Sequence, residues 1–226
     1  EIGSDKNPEL CQKFSDKYGA ESANDIRDLA GEFSPDVFII SSPTNTHLAT
    51  VKTITKYFSP KAILCEKPIA YKLSEAEEIV NLCNANKISL YINYIRRADP
   101  GFIELKKRIS LGNIKGPYKA IVWYSKGLIH TGSHFIDLLN FLFGPIKSTT
   151  FFSKTNVTEF DADIDFKADF ENGEAIFYST EKKSNHFSIE VLASNGRFKF
   201  ENNGDLIFGI VDNRGNDLFV SLTYSN

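Results

Sequence analysis
The sequence predicts an α/β protein: a doubly wound parallel sheet over residues 1–96, then an α+β domain with a largely antiparallel, open-faced sheet over residues 97–226. Three observations carry this. Short apolar runs alternate with helical patterns from Ser4 to about Tyr94, as in parallel sheets whose strands are joined by crossover helices. Three of those runs end in polar clusters, which sets the clusters along one edge of a sheet. After Phe151 only strand patterns follow, alternating apolar and polar as antiparallel strands with one covered face do.

Taken in order, Glu1 to Asp5 reads as the end of a strand. Asn7 then caps a helix that has Pro8 at its first position and Gly19 after its end, the usual asymmetry of helix punctuation. Leu10, Cys11, Phe14 and Tyr18 make its apolar stripe. A short helix is expected over residues 24–31. Val37 to Ile40 and Ala62 to Cys65 are continuous apolar runs, the pattern of strands covered on both faces. Ser74 and Glu77 have capping-box spacing before a helix bearing Ile79, Val80, Leu82 and Cys83. Residues 88–92 form the next strand.

Beyond Arg97 a helix from Pro100 to Leu111 precedes a strand from Tyr118 to Tyr124. A further helix follows, with Thr131 as its expected cap, a stripe of Phe135, Leu138, Leu139 and Leu142, and a stop at Gly144-Pro145. Strands are expected over 161–170, 174–180, 187–193 and 197–201. Asn172-Gly173, Asn195-Gly196 and Asn203-Gly204 mark turns between them.

Bulk properties narrow the function. A net charge of -3 gives no reason to expect a nucleic acid or an anionic membrane as partner. No apolar run approaches a membrane span and no signal-peptide pattern opens the chain. The three cysteines, Cys11, Cys65 and Cys83, each lie in an apolar periodic segment. That suits reduced thiols in a cytoplasmic protein. There is no Met, and the chain reads as a fragment.

The chemistry-bearing residues fall into two groups. Ligands of open α/β sheets collect outside the carboxyl ends of the strands, and there the first half delivers Ser42-Pro43-Thr44-Asn45-Thr46-His47, then Glu66-Lys67-Pro68, then Asn93. In the second half, His130, His134 and Asp137 lie around one helix start. A histidine with a nearby carboxylate suits general acid/base work, because its ordinary pKa is near neutrality. A metal site built from the same three side chains is the weaker chemical reading, since no further carboxylate or thiol ligand accompanies them.

Together the Ser-Pro-x-x-x-His segment (Ser42 to His47), Glu66-Lys67-Pro68 and the His-x-Gly-x-His-x-x-Asp segment ending at Asp137 resemble the Gfo/Idh/MocA family, the glucose-fructose oxidoreductase and inositol dehydrogenase group. The resemblance implies a Rossmann domain followed by an open-faced sheet domain, with NAD(P) as cofactor. It implies hydride transfer between nicotinamide and a hydroxyl-bearing carbon of a sugar, cyclitol or sugar nucleotide. Lys67 then becomes the active-site lysine, and His134 exchanges a proton with the substrate hydroxyl.

On the same footing, Asp5 matches the acidic residue that bonds the adenosine ribose, which favours NAD over NADP by repelling a 2′-phosphate. Ser42, Pro43, Thr44, Asn45, His47, Glu66, Pro68 and Asn93 are expected beside the cofactor. Arg96, Arg97, Tyr124 and Lys126 are expected to hold substrate. A homodimer or homotetramer through the open sheet face is also implied.

The chain departs from the family pattern at the glycine-rich turn, which it lacks, so that it should bind NAD poorly as it stands. It departs again at His130, where the family usually has Asp. A non-catalytic cofactor- or sugar-binding regulator is the alternative reading.

Overall fold
The computed structural model describes residues 2–180 and 187–201, together with the backbone of residues 206–211 and 217–222. The chain divides into two compact units, Glu1–Asn93 and Tyr94–Asn226, so the division falls at 93/94 and not at 96/97.

In the first unit, β1 (Ile2–Ser4) leads into α1 (Pro8–Tyr18) and β2 (Glu21–Ala23), and the two strands pair in parallel. The Asn7 side chain accepts the Glu9 N–H, and Gly19 closes the helix in the left-handed region at φ 63. Two three-residue strands make a narrow platform. Cys11 is buried on it and Phe14 half-buried, whereas Leu10 and Tyr18 of the expected stripe are exposed. The helix expected over residues 24–31 is one 3-10 turn, Ile26–Leu29, with Asp25 accepting the Arg27 N–H.

β3 (Val37–Ile40), β4 (Ala62–Cys65) and β5 (Ser89–Ile92) form a second parallel sheet in that order. Register puts Phe38, Ile63 and Leu90 in one row and Ile40, Cys65 and Ile92 in another. These rows share a core with Val51 and Ile54 of α2 (His47–Tyr57) and Ile79 and Cys83 of α3 (Leu73–Ala85). The expectation of strands covered on both faces holds for that face only. On the opposite rows Val37, Ile39 and Tyr91 are 53%, 68% and 59% exposed, since α2 and α3 pack on the same side. The capping box is not formed either. α3 begins at Leu73 with Lys72 as its cap and no side-chain cap bond, which puts Ser74 inside the first turn.

The second unit holds α4 (Pro100–Ser110), β6 (Tyr118–Tyr124), α5 (Ser133–Phe143), β7 (Ile146–Thr155), β8 (Asp163–Phe170), β9 (Gly173–Ser179), β10 (Ser188–Ala193), β11 (Gly196–Phe200), β12 (Leu206–Val211) and β13 (Asp217–Leu222). The eight strands form one sheet, ordered β13-β12-β11-β10-β6-β9-β8-β7. All neighbours are antiparallel except β6 and β9, which run parallel.

Alternation in β6 sends Tyr118, Ala120, Val122 and Tyr124 inward and Lys119, Ile121 and Trp123 outward. The inward side packs on Phe102 and Leu105 of α4 and on the α5 stripe of Phe135, Leu138, Leu139 and Leu142. Each such fully buried side chain contributes roughly 1.5–3 kcal/mol. The Asn172 and Asn195 turns form as expected, while Asn203-Gly204 lies outside the described residues. β7 was not expected. It is an exposed edge strand, mostly Ser, Thr and Lys but with Phe151 and Phe152 also exposed, and its two register shifts and lysines are devices that keep an edge from pairing with another chain.

Candidate active site
The first unit brings its predicted residues to the carboxyl ends of β3, β4 and β5. After β3, a 3-10 turn at Thr44–Thr46 runs into α2. Thr46 Oγ1 donates to the Pro43 carbonyl and lies 2.7 Å from Ser42 Oγ. Ser42, Pro43 and Asn45 are exposed and Thr44 half-buried. After β4 the ladder runs one residue further on each side: the Glu66 N–H donates to Ile40 O (2.9 Å) and the Asn93 N–H to Cys65 O (2.8 Å). That extension sets Glu66 opposite Asn93, whose amide donates to Glu66 Oε1 at 2.6 Å. Half-buried Lys67 follows, joined to Pro68 by a cis peptide bond. At the end of β1, Asp5 Oδ1 accepts the Asn7 N–H.

His47 corrects the expectation that it contacts cofactor. It is 1% exposed, with Nε2 2.9 Å from Ser42 O and Nδ1 3.0 Å from Ile69 O. Cys65 Sγ approaches Nδ1 to 3.4 Å. The ring ties the turn after β3 to the segment after Pro68 and presents neither nitrogen to a ligand. Burial pushes the Cys65 thiol up to about 12, with Glu66 adding to the shift, so it stays a protonated thiol. All three cysteines are free and buried, as their apolar settings predicted.

The second unit gathers His134, Tyr94, Asp137 and Arg97. The Tyr94 ring meets His134 edge-on at 5.8 Å between centroids. Asp137, expected as a partner for His134, instead accepts a two-pronged pair of bonds from Arg97, both 2.7 Å. A planar guanidinium matches a carboxylate in this way, so the pair links the residues after β5 to α5. Arg96 turns inward. Its guanidinium lies 4.0 Å from the Phe187 ring and 5.9 Å from those of Phe135 and Phe200, and burial lowers its pKa to about 10. Arg96 is therefore a packing cation, not the substrate-binding one expected.

Tyr124 is likewise a core residue. It is fully buried, donating its hydroxyl to Ile164 O (2.6 Å) and accepting the Ile164 N–H (2.9 Å). Burial pushes the phenol above its ordinary value. Lys126 is exposed and holds a left-handed backbone at φ 68, followed by Gly127 at φ 95. Among the described residues no cluster of three His, Cys, Asp or Glu is arranged to hold a metal. No helix among them is long and apolar enough to cross a membrane.

Thr131 is not the cap of the His-bearing helix. The chain makes a wide turn over Leu128–Gly132, in which Gly127 O accepts from both Thr131 and Gly132, before α5 begins. The N–H groups at its start go to a segment beyond α5 and β7, 31 to 36 residues on: Asp161 takes those of Ile129 and His130, and Asp163 that of Gly127. Sequence reasoning missed both acids. The only local signal was a glycine at 127, where a Cβ would sit 2.0 Å from Asp161 Oδ2.

The first unit thus sets polar side chains at the carboxyl ends of parallel strands, and the second is an open sheet backed by helices. Residues 4–94 match the sequence model of the GFO_IDH_MocA oxidoreductase family, described as an NAD-binding Rossmann fold. The chain is 28% identical over 116 residues to myo-inositol 2-dehydrogenase of Thermotoga maritima, covering 51% of this chain and 34% of that protein. It thus spans about a third of the curated relatives it matches.

Among solved structures, levoglucosan dehydrogenase in complex with NADH superposes with a TM-score of 0.83 at 17% identity, covering 99% of this chain and 70% of that one. The WlbA dehydrogenase of Bordetella pertussis, in complex with NADH and UDP-GlcNAcA, gives 0.72 at 18% identity over 88% of this chain and 70% of that one. These matches bear out the resemblance to the Gfo/Idh/MocA oxidoreductases.

Proposed function
We propose that the protein is a nicotinamide-dependent dehydrogenase of a sugar, cyclitol or sugar nucleotide. The observation that carries this is the edge of β3–β5, where consecutive strands deliver the Ser42–Thr46 turn, Glu66-Lys67 and Asn93 together. Its polar groups suit a dinucleotide, with hydroxyls at Ser42 and Thr44 and the Lys67 ammonium, while Asp5 at the end of β1 offers a carboxylate to accept from a ribose. The carboxylate at Asp5 favours NAD over NADP. A bound nicotinamide supplies the hydride acceptor or donor.

The protein's own residues do the rest. Lys67 orients and polarises the substrate oxygen, stabilising the alkoxide that develops on it. Asn93 holds Glu66 so that the backbone carrying Lys67 is fixed. His134 exchanges the proton of that hydroxyl. Exposed Lys126, just beyond the end of β6, supplies a cation for an anionic substrate group. The likeness to a sugar-nucleotide dehydrogenase and an inositol dehydrogenase supports this substrate range. Self-association through the outer face of the eight-stranded sheet completes the reading.

The test is an assay of the protein at its full natural length with NAD+ and NADP+ against inositols, monosaccharides and UDP-sugars, followed by reduced-nicotinamide absorbance. Turnover with one of these classes is expected, with NAD+ preferred. Reduction of neither cofactor by any of them would sink the proposal.

A further inference from the structure
We propose that Asp161 is the positioning residue of the His130–His134 turn, acting as a cap from outside the helix. The assignment of His134 to proton exchange rests on the function proposed above; the geometry of the cap does not. A helical start leaves several backbone N–H groups without partners, and neither this turn nor α5 has a side-chain cap of its own.

Four consecutive N–H groups instead meet the segment 161–163. Gly127 donates to Asp163 Oδ1 (2.8 Å) and Leu128 to Ala162 O (2.8 Å). Ile129 donates to Asp161 Oδ1 and His130 to Asp161 Oδ2, both 2.9 Å. The acids are held in turn. Asp161 Oδ1 also takes the Ala162 N–H (2.8 Å), and Asp163, 1% exposed, takes the Asn156 amide on its other oxygen (2.8 Å). A carboxylate at this end of a helix is also favoured by the helix dipole.

The fixed start propagates. Gly127 O binds Thr131 and Gly132, Ser133 Oγ donates to Ile129 O at 2.6 Å, and His134 follows at once. The bulge in the turn is therefore pinned at one end by Asp161 and at the other by α5. Gly127 lacks a side chain where the Asp161 carboxylate enters. Both oxygens of Asp161 serve backbone amides, so its influence on chemistry runs through the placing of the imidazole.

The experiment compares the parent protein with Asp161→Asn and Asp161→Ala by NMR of backbone amides and histidine rings. Asparagine keeps the volume and one acceptor oxygen, so that variant tests position even if the alanine variant fails to fold. We expect amide exchange to quicken at least tenfold at one of Ile129 and His130 in Asp161→Asn and at both in Asp161→Ala, and the His134 ring resonances to move in each. Those of His47, buried in the other unit, should stay and serve as the internal control. In turnover, kcat should fall on the order of tenfold, as misplacement of a reacting group does, with KM for the cofactor unchanged. Unmoved His134 resonances in a folded Asp161→Asn protein would overturn the assignment. A parent that, at full natural length, turns over no sugar, cyclitol or sugar nucleotide would sink the dehydrogenase reading and leave the resonance test intact.

Discussion
The two units fix their candidate functional side chains by opposite means. At the ends of β3–β5, position is inherited from the ladder: each key residue is the next one along a strand, and Glu66 and Asn93 meet because their strands are neighbours. In the second unit the His130–His134 turn is shaped by Asp161 and Asp163, which arrive from the far side of β7. Local order gives the first arrangement, and only the folded sheet gives the second. Substitutions should accordingly damage the first region through chemistry and the second through geometry.

The largest expected effect is chemical. Lys67→Met keeps the stem and removes the charge, so turnover should drop roughly a hundredfold to a thousandfold with little change in melting temperature. A variant near the parent rate would remove Lys67 from the mechanism.

Next comes a paired test of geometry. Gly127→Ala forces a Cβ to 2.0 Å from Asp161 Oδ2 at a φ of +95, and should destabilise by about 3 kcal/mol in urea unfolding. Gly19→Ala in the first unit meets the left-handed backbone alone, since among the described residues no atom lies within 4 Å of the added Cβ. It should lose only about 1–2 kcal/mol. Equal losses would show that Asp161 yields freely and would erase the contrast.

Asn93→Ala should sacrifice roughly 1 kcal/mol of stability, read by the same unfolding curves, because half-buried Glu66 can recruit water. The smallest effect concerns acid. Burial alone would raise the pKa of Asp165, but the Ser179 N–H and hydroxyl and the Ser153 hydroxyl win and hold it below its ordinary value. A depressed folded pKa gives stability that is present above the unfolded pKa and is lost as pH falls through the folded one. Asp165→Asn should therefore flatten the acid limb of the stability profile below about pH 4. An unchanged limb would mean that those three bonds do not distinguish the ionised carboxylate.

The legible parts of the fold were those written in adjacent residues. The Asn7 cap, the α5 stripe and the polar ends of three apolar runs all follow from spacing of a few positions, and all appear in the structure. Misreadings arose where burial decides role. His47 and Tyr124 carry groups that bind ligands elsewhere, yet here their polar atoms meet backbone carbonyls inside the protein. Arg96 and Arg97 are adjacent and chemically alike, but one enters an aromatic box and the other grips Asp137. β7 escaped notice because an edge strand carries the polar composition of a loop, and Asp161 because its partners are distant in sequence.

The outward row of β6 has a spectroscopic consequence. Trp123 is the chain's one tryptophan, 41% exposed and stacked on Tyr178 with centroids 5.1 Å apart. Selective excitation of indole therefore watches the second unit alone, while circular dichroism collects signal from both. Coincident transitions by the two probes are the mark of two-state unfolding. An emission change that precedes or trails the loss of ellipticity would time the melting of the two units separately, without any introduced label.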